Sequence, residues 1–336
     1  MLHIDVFNGD ADGIFSLIQL RKVWPQASRL VTGVKRDNAL LRQITSQEAQ
    51  GAVISVLDVS FDKNCDDLAR MLEHAESVLY IDHHQARTLF AHAKLTTRID
   101  YAADRCTGLL TRDFLFAEVK LTAELRHQLS LWAIAAAYGD GLDAVAVREA
   151  EMLALSATDK KQLAELGRLV NYNGYGLEVG DLHVAPDRLY QRLSQYDSPF
   201  AVIADAHSPY STLKAGYERD LALAQQTKPI VYVPELIAVQ FEDAAWARRI
   251  SGTYANQLAA EHPHQAIVVA TPNITPTQDP VTLTVSLRAP KSNPQGAGEL
   301  CAQFPSGGGR AGAGGVNALP QSELKHFLTR VMHAYR

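Results

Sequence analysis

The chain has 336 residues and a mass of 36.8 kDa, which exceeds one typical domain and is enough to bury a large core. Hydrophobic residues make up 47% and charged residues 21%, and no apolar run is long enough to span a bilayer. The net charge is -5 at pH 7, whereas proteins that bind long nucleic acids by their phosphates usually have a basic surface. These values favour a two-domain globular protein with a small or short substrate.

The N-terminal residues and the cysteines indicate a reducing compartment. Residues 1–7 form a short apolar run that includes Asp5, with neither a basic leader nor a small-residue cleavage site. Cys65, Cys106 and Cys301 lie far apart and form no CxxC pair, which argues against disulfides and a thiolate zinc site. We therefore expect a cytoplasmic protein with reduced cysteines and no membrane partner.

The chain opens with a strand, a turn and a helix. Residues 2–7 are β-prone, and apolar residues recur at helical spacing from Ile14 to Leu20. The turn contains Asp10 and Asp12, which are two apart and can both point toward one cation. A glycine-rich turn that opens a helix is also an anion site. Taken alone, the same residues fit an Asx-type turn with a helix N-cap better than they fit a cation site.

Further strand and helix units follow. The β-prone residues 30–34 precede a charged stretch in which Asp37 or Asn38 is expected to cap a helix. The apolar run 52–57 ends in Asp58, residues 61–74 read as a helix, and the next apolar run, 78–81, ends in Asp82-His83-His84. Repeated βα units predict a parallel sheet whose strands all end at one edge, where sites form in such sheets. A polar surface loop is the alternative for any one of these strand ends.

A long helical segment delivers a fourth carboxylate. Residues 121–138 form a helical pattern that breaks at Gly139-Asp140-Gly141. Asp143 is the nearest rival to Asp140, and we expect Asp143 to cap the following helix instead.

Taken in order, these segments resemble the four motifs of the DHH phosphoesterase family, over about the first half of the chain. The resemblance implies an α/β fold with a parallel-sheet DHH domain and two divalent cations, Mn²⁺ ahead of Mg²⁺. The sequence departs from the family pattern at Val6, because many members have a histidine at this position. Asn8 is the nearest polar residue. The motifs are Asp10-Ala11-Asp12-Gly13, Asp58, Asp82-His83-His84 and Gly139-Asp140, and the implied metal ligands are Asp10, Asp12, Asp58, His83 and Asp140.

Three residues have implied catalytic roles. Asp58 would bridge the cations, Asp82 would orient a ligand, and His84 would contact the phosphate. Two cations neutralise a phosphodiester, lower the pKa of a water and align the attacking and leaving oxygens.

The sequence pattern of the second half of the chain differs from that of the first and predicts a separate domain. We expect the DHH domain to occupy residues 1–185, a helical linker residues 186–228, and a smaller α/β domain residues 229–336.

The glycine-rich stretch 307–315 could be a flexible linker. It also resembles the GGHxxAAG element of the DHH-associated domain, with Ser286-Leu287-Arg288 as that domain's strand motif, although Gly309 and Gly312 replace the family histidine and first alanine. Such glycines can form a backbone nest for phosphate. The implied substrate-binding residues are Arg288, Gly307, Gly308, Gly309, Arg310 and Gly314.

The leading functional hypothesis is a Mn²⁺-dependent phosphodiesterase of the exoribonuclease type. It would hydrolyse short oligonucleotides or linear dinucleotides, such as the pGpG left by cyclic-di-GMP breakdown, to 5'-mononucleotides, with no long duplex as a substrate. One alternative is a single-strand exonuclease, against which the acidic balance stands. Another is a catalytically weak nucleotide sensor, suggested by Val6 and Gly309. The sequence leaves base preference and a homodimer open.

Overall fold

The computed structural model describes residues 2–274 and 281–336 of the chain. These residues form two compact units, Met1–Ala215 and Gly216–Arg336. Among them, no helix is both long and apolar enough to cross a bilayer. Cys65, Cys106 and Cys301 are all free thiols, the latter two buried.

The first unit contains a five-stranded sheet in which every neighbouring pair is parallel. Its spatial order is β2-β1-β3-β4-β5. The strands at its centre are buried, apolar runs, as expected of a parallel sheet covered on its faces. The predicted parallel sheet is therefore confirmed. Its strands are β1 (His3–Phe7), β2 (Arg29–Val31), β3 (Val53–Leu57), β4 (Ser77–Asp82) and β5 (Leu95–Ile99).

Helices follow most of these strands, as the sequence pattern predicts. The described residues also form 3-10 helices at Leu40–Gln43 and Val179–Asp181. The α-helices are α1 (Ala11–Val23), α2 (Ser46–Ala49), α3 (Phe61–Leu72), α4 (Thr107–Glu118), α5 (Ala123–Gly139), α6 (Asp143–Met152), α7 (Ala157–Asn173), α8 (Pro186–Leu193), α9 (Pro199–Ala204) and α10 (Pro209–Gln226).

Two predicted helix caps are wrong. The 3-10 helix after β2 begins after Ala39 and has no side-chain cap, so neither Asp37 nor Asn38 caps it. Asp143 is the first residue of α6 and not its cap, a position that Leu142 occupies. In both places the chain enters the helix one residue or more away from the polar side chain that the sequence offers.

Helix α1 is central to the first unit. All its residues from Ala11 to Leu20 are buried, and it packs against α4, α5, α7 and α8. A separate cluster of apolar side chains joins β1, β3 and β4 to α3, with Phe61, Leu68 and Tyr80 fully buried. Burial of a large apolar side chain stabilises the fold by about 1.5–3 kcal/mol. The N-terminus of α1 is therefore buried among four packed helices.

The second unit contains a six-stranded mixed sheet with the order β10-β11-β9-β8-β7-β6. Only β7 and β8 pair in parallel among its described strands. A 3-10 helix, Gln321–Glu323, precedes the last helix. The elements are β6 (Val231–Val233), β7 (Leu236–Gln240), α11 (Ala245–Glu261), β8 (Ala266–Asn273), β9 (Thr282–Arg288), α12 (Ala297–Cys301), β10 (Gly307–Arg310), β11 (Ala313–Pro320) and α13 (Leu324–Ala334).

The glycine-rich stretch is a β-hairpin and not a flexible linker. Gly307 to Arg310 form the edge strand β10, which pairs with β11 from Ala313 onward. The glycines allow close packing on α12, because a Cβ on Gly314 would lie 2.6 Å from the Ala297 oxygen. The edge strand is tied to its own chain as well, because the Gly307 N-H donates to the Phe304 carbonyl at 3.0 Å.

Candidate metal centre and active site

Side chains from several elements meet at the carboxyl edge of the first sheet. Asp58 follows β3 directly, Asp82 is the last residue of β4, and Asp10 caps the N-terminus of α1. Asp140 lies at the C-terminal end of α5. The structure brings together all seven residues predicted in this half of the chain, namely Asp10, Asp12, Asp58, Asp82, His83, His84 and Asp140.

Asp58 lies at the centre of this group and is 2% exposed. Its backbone is in the left-handed region, with φ of 58°, which Asp and Asn adopt more readily than other non-glycine residues. Its N-H donates to the Ile81 carbonyl (3.0 Å), which ties the end of β3 to β4. The Thr107 hydroxyl donates to its Oδ1 (3.2 Å).

His83 presents one ring nitrogen to three carboxylates. Its Nδ1 lies 3.2 Å from the Arg105 carbonyl, a contact in which only the nitrogen can donate. The neutral ring is therefore protonated on Nδ1, which leaves the Nε2 lone pair free as a ligand. Nε2 lies 3.4 Å from Asp58 Oδ1 and 3.8 Å from both Asp12 Oδ2 and Asp140 Oδ2.

The N-terminus of α4 holds Asp12. The backbone N-H groups of Thr107 and Gly108 donate to its two carboxylate oxygens, each at 2.7 Å. The partial positive charge at a helix N-terminus stabilises such a carboxylate. Sequence reasoning missed this support, because Thr107 lies 95 residues from Asp12 and its segment has no metal-ligand pattern.

Gly108 allows this approach, so we expect Gly108→Ala to destabilise the fold and shift Asp12. A Cβ at this position would lie 2.4 Å from Ala136 Cβ and 3.2 Å from Asp12 Oδ1. Overpacking of this kind costs about 1–3 kcal/mol, which thermal unfolding measures. The matched control is Gly252→Ala in α11, where the atom nearest to a new Cβ is 3.9 Å away and where alanine stabilises a helix. Equal Tm shifts in the two variants would contradict this account.

Asp10 has a cationic partner. Its Oδ1 accepts from the backbone N-H groups of Asp12 (3.0 Å) and Gly13 (3.1 Å), so the helix-cap alternative is also true of it. Its Oδ2 accepts from Lys35 Nζ at 2.6 Å. Lys35 was not predicted as a site residue, although it follows a β-prone run much as Asp58 does.

Asp82 and His84 form a second pair beside Asp58. His84 Nδ1 lies 2.7 Å from Asp82 Oδ1 and 3.9 Å from Asp58 Oδ1. Asp82 is fully buried, and its Oδ2 has no hydrogen-bond partner among the described residues. The His84 side chain is 34% exposed, so it can reach a molecule that enters from solvent.

The concentration of carboxylates in this cluster favours the binding of a cation. Burial, followed by the carboxylates of Asp10 and Asp12, raises the pKa of Asp58 well above its usual value. Burial alone would lower the pKa of His83, but the carboxylates of Asp58, Asp12 and Asp140 raise it to about 11. The metal-free protein therefore holds an imidazolium where negative charge is concentrated. A divalent cation that displaced this proton would satisfy the same carboxylates.

The donor atoms fit a divalent cation. Ligand atoms of Asp12, His83 and Asp140 all lie within 4.8 Å of one another, and so do those of Asp58, His83 and His84. Carboxylate oxygens with imidazole suit a cation such as Mn²⁺. Burial and the nearby Asp12 carboxylate raise the pKa of the Cys106 thiol well above its usual value, so this thiol stays protonated in the metal-free protein.

The predicted substrate-binding residues lie in the second unit. Arg288 at the end of β9 pairs with Ala313 of the hairpin, and its guanidinium donates to Asn256 Oδ1 (2.5 Å) and to the Gly252 carbonyl (3.3 Å). Arg310 is exposed, and its guanidinium makes no hydrogen bond or ion pair with any described residue. Gly307, Gly308, Gly309 and Gly314 belong to the same hairpin as Arg310.

No family model and no curated protein matches the chain. Solved structures do match it. The DHH domain of a member of a ribosomal protein family has a TM-score of 0.62 at 13% identity, covering 99% of this chain and 86% of that chain. The exonuclease RecJ bound to manganese has a TM-score of 0.59 at 15% identity, covering 99% and 90%. The chain has the DHH-domain fold.

PggH, a pGpG-specific phosphodiesterase from Vibrio cholerae, shares the DHH fold with this chain at a TM-score of 0.50 and 13% identity, covering 99% of this chain and 98% of that chain. The resemblance predicted from the four motifs is thus confirmed at the level of the fold, including the smaller C-terminal α/β unit. Identities this low speak for the DHH fold and not for the substrate.

Proposed function

We propose that this protein is a metal-dependent phosphodiesterase that hydrolyses short oligonucleotides or linear dinucleotides, pGpG among them, to 5'-mononucleotides. The observation that carries the proposal is the convergence of Asp12, Asp58, His83 and Asp140 around one point at the carboxyl edge of the sheet. The DHH fold is shared with an exonuclease bound to manganese and with a pGpG-specific phosphodiesterase, which supports the same reaction class.

Asp12, Asp58, His83 and Asp140 would hold a divalent cation, for which we favour Mn²⁺. Such a cation neutralises a phosphodiester and lowers the pKa of a water. The chain's own residues fix this arrangement before substrate arrives. Thr107 and Gly108 hold Asp12, and the Arg105 carbonyl fixes the His83 ring. Preorganised donors of this kind need little rearrangement during the reaction.

Asp82 would orient His84, and His84 would contact the substrate's phosphate. The contact between Asp82 Oδ1 and His84 Nδ1 (2.7 Å) would hold a proton on Nδ1 and fix the orientation of the ring. Nε2 is then the ring atom left for the substrate, and in its protonated form it would donate a hydrogen bond to a phosphate oxygen or a proton to the leaving oxygen. The partial exposure of His84 supports this role, because the group that meets substrate has to be reachable.

Substrate length separates the proposed activity from a single-strand exonuclease. We expect rates to fall as oligomers lengthen, because an acidic chain offers few cations to follow a long backbone. The experiment is a product time course with Mn²⁺ on dinucleotides, longer RNA and DNA single strands, and cyclic dinucleotides. A shallow dependence of binding on salt is expected as well, since the slope counts the phosphates contacted.

The same experiment tests the alternatives. Equal or faster cleavage of long single strands would favour the exonuclease. If the protein bound dinucleotides but released no product, and Mn²⁺ added after chelation changed nothing, the nucleotide-sensor alternative would replace the proposal.

A further inference from the structure

The Lys35 ammonium lies inside the acidic cluster. Its Nζ is 2.6 Å from Asp10 Oδ2, 2.6 Å from Asn171 Oδ1 and 3.7 Å from Asp140 Oδ1. The side chain is 21% exposed, and its Nζ lies 5.5 Å from the centre of the Tyr175 ring. The ammonium is therefore surrounded by oxygen acceptors, the nearest at distances typical of charge-assisted hydrogen bonds.

The backbone holds this lysine in place. The Lys35 N-H donates to the Gly174 carbonyl at 2.8 Å, and the Lys35 carbonyl accepts from Asn8 Nδ2 at 3.2 Å. These contacts join Lys35 to the turn after β1 and to the C-terminal end of α7. The side chain accordingly starts from a fixed point beside Asp10 and does not extend from a free loop.

The carboxylates divide into two groups by their partners. Both oxygens of Asp10 are engaged, Oδ1 by two backbone N-H groups and Oδ2 by Lys35. Asp12, Asp58 and Asp140 surround His83 Nε2 within 3.8 Å, and Asp58 also contacts Asp10. Asp10 is thus paired with a lysine ammonium, whereas the other three carboxylates face a ring nitrogen that can serve as a metal ligand.

We propose that Lys35 is a built-in second cation, so that the site takes one divalent cation and not the two that the family resemblance implies. This inference rests on the proposed function. The single cation lies among Asp12, Asp58, His83 and Asp140, while the Lys35 ammonium neutralises Asp10 and faces Asp140. An ammonium supplies charge to a phosphodiester, but it cannot activate a water as a metal ion does. Lys35 is therefore a positioning and charge-stabilising residue.

Metal stoichiometry tests the inference without reference to activity. The metal-stripped chain is dialysed against Mn²⁺, and bound metal is counted by elemental analysis, with electron paramagnetic resonance reporting whether the Mn²⁺ ions are isolated or coupled. We expect one isolated Mn²⁺ per chain in the wild type. Lys35→Met leaves a buried carboxylate without a cation and should bind two, while Lys35→Met/Asp10→Asn should return to one. The matched control, Lys120→Met at an exposed position, should bind one.

Asp10→Asn provides an independent measurement if Lys35→Met fails to fold. Asparagine keeps the helix cap, so the variant should fold and still bind one Mn²⁺. Two coupled Mn²⁺ ions in the wild type, one ion in folded Lys35→Met, or loss of the ion from Asp10→Asn would each overturn the inference while leaving a metal-dependent enzyme intact. A wild type that binds no Mn²⁺ would overturn the proposed function and this inference together.

Discussion

Asp58→Asn is expected to lower kcat/KM for dinucleotides by on the order of a thousandfold or more, because the loss of a metal ligand removes several kcal/mol of transition-state stabilisation. Asp58 is the carboxylate that lies nearest to His83 Nε2, at 3.4 Å, and it also approaches His84. The measurement is steady-state hydrolysis with saturating Mn²⁺, together with the Mn²⁺ affinity of each variant.

Asparagine is a sharper substitution here than alanine. It accepts the Thr107 hydrogen bond and tolerates the left-handed backbone at φ of 58°, whereas alanine would add backbone strain of about 1 kcal/mol. Burial and two neighbouring carboxylates raise the pKa of Asp58, so its charge opposes folding at neutral pH when no metal is bound. The metal-free asparagine variant should therefore be at least as stable as the wild type.

Exposed Asp66 on α3 supplies the matched control, and Asp66→Asn should leave both activity and Mn²⁺ affinity unchanged. Wild-type turnover by a folded Asp58→Asn variant would show that this carboxylate is not a metal ligand. A loss of activity accompanied by a large drop in Tm would instead reveal a structural role for Asp58.

The parts of the site that follow a local rule could be predicted from the sequence. Buried parallel strands are continuous apolar runs, so the polar residue at which each run stops is visible without a structure. Asp58 and Asp82 were found in this way, and Asp140 was found because an apolar helix breaks at a glycine. The helical pattern at residues 121–138 also placed α5 close to its observed bounds, Ala123–Gly139.

The supports of those residues come from distant segments and have no local signal. Thr107 approaches Asp12 only because α4 packs against α1, and Asn171 meets Lys35 across 136 residues of chain. Lysine after a strand is common on surfaces, so its charge alone does not mark it as part of a site. Only the enclosure of Lys35 by Asp10, Asn171 and Asp140 does so.

The conformation of the glycine-rich stretch could not be predicted from the sequence for a different reason. Strands are recognised by alternating side chains, and glycine has none, so residues 307–315 could not be separated from a linker or a nest by pattern. The structure explains the glycines by packing, since a Cβ on Gly307 would lie 1.9 Å from the Cys301 oxygen. Their strand conformation leaves the exposed Arg310 as the cationic side chain of β10.

Arg310 and Arg288 should behave differently, although both were predicted to bind substrate. Arg288 already donates to Asn256 Oδ1 and to the Gly252 and Leu287 carbonyls, so Arg288→Ala is expected to cost about 1–3 kcal/mol of stability. Arg310 is exposed and makes no hydrogen bond or ion pair with the described residues. The paired N-H donors of its planar guanidinium suit a terminal phosphate or a guanine edge. Arg310→Ala should therefore change substrate binding with little effect on Tm.

We expect Arg310→Ala to raise KM for dinucleotides by roughly 10- to 100-fold, the value of one charge-assisted hydrogen bond, with kcat unchanged. A contact made equally in the ground and transition states affects KM alone, whereas misalignment at the metal lowers kcat. Hydrolysis of bis(p-nitrophenyl) phosphate, which lacks a terminal phosphate and a base, should not change. Arg219→Ala, at an exposed position of α10, is the matched control and should match the wild type on both substrates. Equal losses on both substrates would place Arg310 in the catalytic machinery, and unchanged KM for dinucleotides would remove the hairpin from the substrate site.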